Sequence, residues 1–579
     1  MYPAQLLQPS TPPNHPRCRR LGGTLALVAA VVFLAACNSP AGGPEETRSG
    51  QAEAPPKDAL KLVFTYGSEK ARWIEEVTTD FNHQRRTLAD GRPIFVEAHA
   101  MGSGESIAEL VEGRRQAHLT SPASEAFIKL GNAESRLHTG QDLIGPTRNL
   151  VLSPVVIAMW KPMAEAIGWG QRPLGWSDVL EMSRKREGWA AYGRPQWGSF
   201  KFGHTHPEYS NSGLISLFAE VYAATGKTAG LSAEDLEKPA TAEFLAAIER
   251  SVVHYGSSTG FFGRKMFSNG PEYLSAAVLY ENMVIESYGP EHSLPFPVVA
   301  IYPKEGTFWS DHPAGIVQRE WVTAAHREAA EVYLDFLLAP EQQRQALLFG
   351  FRPAEVEIPL AAPVDTAHGV DPQQPQTILE VPSPEVIHGV IRLWSQHKKH
   401  ADVTLVLDVS GSMKDDDKLA SAKQGARQLL SMLRDEDRFS LLTFNNDTAW
   451  ALTDLSLAQE RGTAEGQVES LFAAGGTALY DAVDTAYQRM QEQRDSARIA
   501  AIVVLSDGAD TRSKLDLNGL LKRIRFDAEG SNIRVFTISY GQDADREVLT
   551  SIADATEAES FTGTPDNIRE VFKNISTFF

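Results

Sequence analysis

The sequence predicts an α/β chain of two modules in series, the second of them a doubly wound parallel sheet. From Leu60 onward, short apolar runs alternate with segments of helical spacing. One run, Val403 to Leu407, is continuous enough for a strand buried on both faces of a parallel sheet, and it gives way at Asp408 to a helical pattern that begins near Asp417. Between the two alternating regions lies a stretch of little periodicity holding Pro353, Pro359, Pro363, Pro372, Pro375, Pro382 and Pro384.

The 579 residues suggest about four domains on a prior of roughly 150 residues each. A formal net charge of -19 argues against a nucleic-acid partner, because phosphate binding needs a basic surface. Past the leader, no segment is apolar enough to span a bilayer.

The leader has its own character. Arg17, Arg19 and Arg20 precede the uncharged apolar stretch Leu21 to Ala36, and small residues follow. That order describes a secretory signal. Its end, Leu34-Ala35-Ala36-Cys37, resembles a bacterial lipobox, which implies a lipoprotein signal peptide over 1–37 with Cys37 lipidated. The expected location is the outer face of the bacterial cytoplasmic membrane, at the cell surface or in the periplasm, held by the lipid anchor. Cys18 is the other cysteine, and its loss with the signal would leave the exported chain without a disulfide. Residues 38–58, rich in Pro, Gly, Ala and Glu, read as a flexible tether.

The first module is expected over 59–356. KLVFTYGS reads as a strand, followed by a helix carrying Trp73, Ile74, Val77 and Phe81. IFVEAHAMGSGES is a second strand and loop, with its helix close behind Ser103, Gly104 and Ser106. VVIAMWKP, NSGL and FLLAPEQQ continue the alternation. The whole resembles a type II extracellular solute-binding protein, which implies two α/β lobes around a cleft. One lobe is expected from Ala59 to about Leu150 plus about Pro295 to Val356, the other from the middle. In the oxyanion-binding members, hydroxyls and amides at helix N-termini hold the ligand, where amides are unpaired and the dipole favours an anion. The matching positions are Ser68, Ser103 with Gly104, and Ser212 with Gly213. No acidic or aromatic cage for an amino acid or sugar is evident, so a small solute or oxyanion stays open as ligand.

Residues 357–384 then read as a stiff linker, and 385–579 as the second module. A short amphipathic segment, Val386 to Trp394, leads into it. His397 to His400 (HKKH) reads as a solvated basic cluster beside a helix end.

Ser410 and Ser412 follow Asp408 at alternate positions, where a strand hands over to a helix. Thr477 follows Gly475 and Gly476 at the entry to another helix, and Asp507 ends the buried-strand run that begins at Arg498. Together these five side chains make an all-oxygen site at strand ends, which suits a hard cation such as Mg²⁺. The spacing DxSxS, then Thr, then Asp resembles the metal-ion-dependent adhesion site (MIDAS) of a von Willebrand factor A (VWA) domain, a Rossmann-like fold. That resemblance covers roughly the last third of the chain. It implies Mg²⁺ or Mn²⁺ bound by the hydroxyls, with the aspartates close by, and a protein partner whose Asp or Glu carboxylate completes the metal shell.

Two patterns could suggest an enzyme. GSSTG at Gly256 to Gly260 matches a nucleophile elbow around Ser258, but it lacks the preceding strand that an elbow needs. His204 and His206 have no third ligand nearby in sequence and read as a loop. The expectation is therefore a non-enzymatic surface protein in which metal-dependent adhesion is joined to a solute-binding-like module. The alternative is the solute receptor of an ABC importer whose adhesion domain docks a membrane partner.

Overall fold

The computed structural model describes residues 55–354, 357–493, 495, 497–525 and 533–579. Cys37, the leader and most of the tether lie outside the described residues. No helix among the described residues is long and apolar enough to cross a membrane. Residues Pro55–Phe579 form one compact unit.

In the first lobe the five-stranded sheet runs Ile94–Met101, Leu60–Gly67, Leu119–Ser121, Pro313–Val317, Ile144–Asn149. Leu60–Gly67 is parallel to both neighbours, whereas the returning strand Pro313–Val317 pairs antiparallel. The helix Ala71–His83 turns Trp73, Ile74, Val77 and Phe81 fully inward, one face at the spacing of a helical stripe.

The second lobe is organised around Val151–Trp160, which pairs antiparallel with Ala276–Tyr280, Val298–Ile301, Trp309–Ser310 and Arg352–Pro353. The chain therefore crosses back near Asp311 and His312 rather than at about Pro295. Val298–Ile301 and Trp309–Ser310 are too short for their pattern to say which sheet they join.

The proline-rich stretch is not a free linker. Gly369 O accepts from Ala300 N at 2.8 Å, Thr307 and the 377–379 segment exchange main-chain bonds, and Tyr222 Oη donates to Glu380 O at 2.8 Å. Val364, Val370 and Leu379 are buried against the second lobe. Proline removes donors but leaves carbonyls and intervening apolar side chains, and these strap the stretch down. The helix Pro384–His397, expected to open the second module, likewise packs on second-lobe helices Asn211–Thr225, Ala233–Leu236 and Pro239–Glu249.

The C-terminal sheet has the order Thr448–Ser456, Arg438–Phe444, His400–Asp408, Arg498–Ser506, Arg534–Tyr540, Ser560–Gly563. All of its pairs are parallel except the outermost, Thr448–Ser456. That edge strand escapes a sequence reading because it is only half-buried, with no buried residue to mark an alternation.

The C-terminal module joins the second lobe through aromatic and main-chain contacts. Trp394 is fully buried, with its ring centroid 4.9 Å from His206 and 5.4 Å from Tyr255. The Lys398 ammonium and the Arg434 guanidinium lie 5.4 and 5.6 Å from the same ring. Tyr255 N donates to Phe578 O at 3.2 Å, and Lys265 Nζ to Ala558 O at 3.1 Å. Replacing Trp394 by alanine should cost about 3–5 kcal/mol. Calorimetry should show a lower midpoint, with the single transition splitting into two as the modules lose their shared core.

Candidate functional site

The five oxygen-bearing residues meet at the carboxyl end of the parallel strands. His400–Asp408 and Arg498–Ser506 are neighbours, so Asp408 and Asp507 emerge side by side, and both are fully buried. Asp408 Oδ1 accepts from Ser410 N at 2.8 Å, and its Oδ2 accepts from Ser506 Oγ at 2.6 Å. The Ser410 and Ser412 hydroxyls lie 3.0 Å apart, and Ser412 donates on to Asp507 Oδ1 at 2.8 Å. One unbroken path of hydrogen bonds thus links Asp408, Ser410, Ser412 and Asp507. Ser412 is exposed, which opens that path to solvent.

Thr477 is placed by main chain. Gly411 N donates to Gly475 O at 3.0 Å and Ala474 N to Val409 O at 2.8 Å, which fixes the glycine loop against the Asp408 loop. Gly475 has φ +89°, a conformation that a side chain would strain. On the other side Thr477 O accepts from Thr511 N and Arg512 N at 2.8 and 3.0 Å. Among the described residues, no hydrogen bond from the Thr477 hydroxyl joins the path. Burial pushes the Asp408 carboxyl up to about 6, although the Ser506 and Ser410 bonds oppose the shift. Buried carboxylates and hydroxyls, with no nitrogen or sulfur donor, form a set that fits a hard divalent cation.

Two residues here were not singled out from the sequence. Ser506 orients Asp408. Lys418, the first residue of helix Lys418–Met432, places its ammonium 2.9 Å from Asp507 Oδ2. Burial opposes the charge on Lys418, but the Asp507 bond and charge outweigh it and raise its pKa. A lone lysine after three aspartates carries no visible signal of facing inward.

The cleft residues occupy the helix entrances expected of them, yet all are engaged within the protein. Ser68 Oγ accepts from Gly260 N at 3.2 Å, and Ser103 Oγ from Ala123 N at 2.9 Å. Gly104 N donates to Tyr209 O at 3.0 Å, so a carbonyl of the second lobe stands where an anion was expected. A Cβ on Gly104 would lie 2.0 Å from Glu208 O. Ser212 Oγ pairs with Thr205 Oγ1 at 2.8 Å and with Thr259 Oγ1 at 2.9 Å, and Gly213 N donates to Thr205 Oγ1 at 2.8 Å. The five therefore do not converge on one open space. Of the five, Ser68 lines the groove left at the rim, about 320 Å³, with Gly102, Ser257 and Ser258 and with Glu570 and Asn574 of the C-terminal module.

Between the lobes, Lys70 Nζ lies 2.7 Å from Glu69 Oε1 and 3.1 Å from His312 Nδ1, all three buried. Burial would raise the Glu69 pKa, but Lys70 and His312 outweigh it and hold the carboxyl at about 2.

The remaining motifs resolve differently. Ser258 precedes helix Thr259–Asn269 without a strand before it, so no elbow forms. His204 and His206 do lie in a loop, between strand Phe202–Gly203 and helix Asn211–Thr225, but not at the surface. Both are buried, and His204 Nε2 meets Glu249 Oε1 at 3.0 Å while Tyr255 Oη donates to Glu249 Oε2 at 2.6 Å. HKKH is not a solvated cluster either. Lys398 Nζ donates to Phe579 O at 3.1 Å and Lys399 Nζ to Val252 O at 2.8 Å, and burial brings both lysines down to about 8. Sequence proximity to a helix end gave no sign of the module packed against it.

Asp311, at the crossing between lobes, has Oδ1 buried without a partner, and burial pushes its carboxyl up to about 6. A raised carboxyl pKa means that the folded protein holds a proton the unfolded chain has already released. Stability should then fall as pH rises from about 4 to about 6 and level off above. Asp311→Asn removes this ionisation, so the variant should gain on the wild type across that window by on the order of 2 kcal/mol. Denaturant unfolding at a series of pH values checks it, and a difference that does not vary with pH would refute it.

A family model for the bacterial extracellular solute-binding protein matches residues 62–352, and one for the von Willebrand factor type A domain matches residues 402–575. Inter-alpha-trypsin inhibitor heavy chain H2 of Sus scrofa is 26% identical over 188 residues, 30% of this chain and 20% of that protein. The chain thus spans a small part of the heavy-chain relatives it matches. The uncharacterized protein MT1884 of Mycobacterium tuberculosis (strain CDC 1551 / Oshkosh) is 22% identical over 435 residues, covering 72% of this chain and 61% of that one. Among solved structures, the sulfate-binding protein SubI from Mycobacterium tuberculosis H37Rv is 17% identical with a TM-score of 0.35, covering 51% of this chain and 88% of that one. A von Willebrand factor type A structure from Catenulispora acidiphila is 22% identical with a TM-score of 0.27, covering 31% and 42%. The chain belongs to the bacterial extracellular solute-binding protein family and carries a von Willebrand factor type A domain behind the solute-binding domain.

Proposed function

We propose that this chain is a lipid-anchored surface protein that grips an acidic side chain of a protein partner through Mg²⁺ or Mn²⁺ held by Asp408, Ser410, Ser412, Thr477 and Asp507. The observation that carries the reading is the hydrogen-bonded path from Asp408 through Ser410 and Ser412 to Asp507, exposed at Ser412. Asp408 and Ser506 hold the Ser410 loop in place, and the Gly475 loop brings Thr477 to the same end of the sheet. A bound divalent ion would supply the positive charge that a partner's Asp or Glu carboxylate completes. Cys37 and the tether of 38–58 would keep this face at the membrane surface yet free to reach a neighbour. No catalytic role is proposed for any residue.

In the alternative, the chain delivers a small solute or oxyanion to an ABC importer. The engagement of Ser68, Ser103, Gly104, Ser212 and Gly213 by the protein's own groups weighs against it. It supports instead a solute-binding fold kept as a rigid mount for the adhesion domain.

Thermal unfolding of the full chain in detergent, with Mg²⁺, Mn²⁺ or EDTA, tests the metal reading. A metal at 100 times its dissociation constant should stabilise the wild type by about 2.7 kcal/mol. Asp408→Ala should abolish that gain, and an equal gain in the variant would refute the assignment. A gain from sulfate, phosphate or a sugar, present also in Asp408→Ala, would move the importer reading ahead.

A further inference from the structure

Lys418 is placed with unusual care for a residue outside the five-residue motif. Asp416 and Asp417 take left-handed backbone with φ +50° and +55°, turning the chain so that the helix begins with Lys418 facing inward. Tyr540 Oη donates to Lys418 O at 3.0 Å and fixes its backbone. Gly541 leaves room for the side chain, since a Cβ there would lie 3.3 Å from Lys418 Cε. The buried ammonium then sits 2.9 Å from Asp507 Oδ2, while Asp507 Oδ1 is held by Ser412. A second carboxylate, on exposed Asp543, is 3.9 Å away.

We infer that Lys418 is the internal counter-charge of the adhesion site, lowering its affinity for metal and making the loaded site a net cation that selects an anionic partner group. This rests on the metal-dependent reading above. Asp408 and Asp507 bring two negative charges, which a divalent ion alone would cancel. With Lys418 the buried groups of the loaded cluster keep one positive charge, which Asp543, screened by solvent, offsets only weakly, and that charge attracts a partner's carboxylate. Lys418 also repels the incoming ion, so the same charge weakens metal binding while it strengthens the partner contact. A purely structural ion pair would fix Asp507 and move neither quantity in this pattern.

The test uses Mn²⁺ as the probe, on the full chain in detergent, with free Mn²⁺ read by electron paramagnetic resonance. Lys418→Met should bind Mn²⁺ about tenfold more tightly or better, while Lys418→Arg, which keeps the charge, should stay within about threefold of wild type. Acetate titrated into the Mn²⁺-loaded proteins, followed by water-proton relaxation, should displace metal-bound water at lower concentration in wild type than in Lys418→Met. Circular dichroism establishes that both variants are folded. Lys418→Met with wild-type or weaker Mn²⁺ affinity, or with the same acetate response, overturns the inference. If Asp408→Ala loses Mn²⁺ while Lys418→Met matches wild type, only the role of Lys418 falls. If neither wild type nor Lys418→Met binds Mn²⁺, the metal reading falls with it.

Discussion

Two carboxylates buried side by side, Asp408 and Asp507, set the terms for the C-terminal half of this protein. They stand at the ends of neighbouring parallel strands, where register alone brings them together. A buried carboxylate is costly unless each oxygen finds a donor or an opposite charge. Ser410 N and Ser506 Oγ satisfy Asp408, while Ser412 and Lys418 satisfy Asp507. The loops at this end of the sheet are arranged by that requirement. The same groups give a cluster of oxygen atoms with one side open to solvent, which is what a hard cation and its ligand need.

The solute-binding domain meets the same requirement in another way. Its helix entrances offer hydroxyls and amides that would suit an anion. The protein answers them with its own carbonyls and hydroxyls, from Tyr209, Thr205 and Thr259. Glu69, Lys70 and His312 form a buried bonded set between the lobes. Because the glycines at 102, 104 and 260 let opposing main chain approach closely, the two lobes meet backbone to backbone.

The modules are also continuous with each other. The helix Pro384–His397 lies on the second lobe and leads directly into a central strand of the von Willebrand factor type A domain. The last helix, Ile568–Ser576, packs on Lys418–Met432 around Gly425 and sets Lys573 5.4 Å from the Tyr209 ring. Tyr209 is the residue whose carbonyl caps Gly104. The oxygen cluster and the closed cleft therefore belong to one packed body, joined by this last helix as well as by the contacts around Trp394 and Tyr255.

The amino-acid sequence by itself determined what is local. Apolar runs and helical spacing marked the strands and helices, and DxSxS with Thr477 and Asp507 marked strand ends. Such features repeat within a few residues and follow from backbone geometry. Only the tertiary structure decided which donors meet which acceptors. Lys418, Ser506 and the Tyr209 carbonyl carry no periodic signal, and their partners lie about ninety or more residues away in the chain. The proline-rich strap and the two lysines of HKKH belong to the same class. Composition marks such segments as polar or irregular, but their place is set by long-range contacts, and those exist only once the chain has folded.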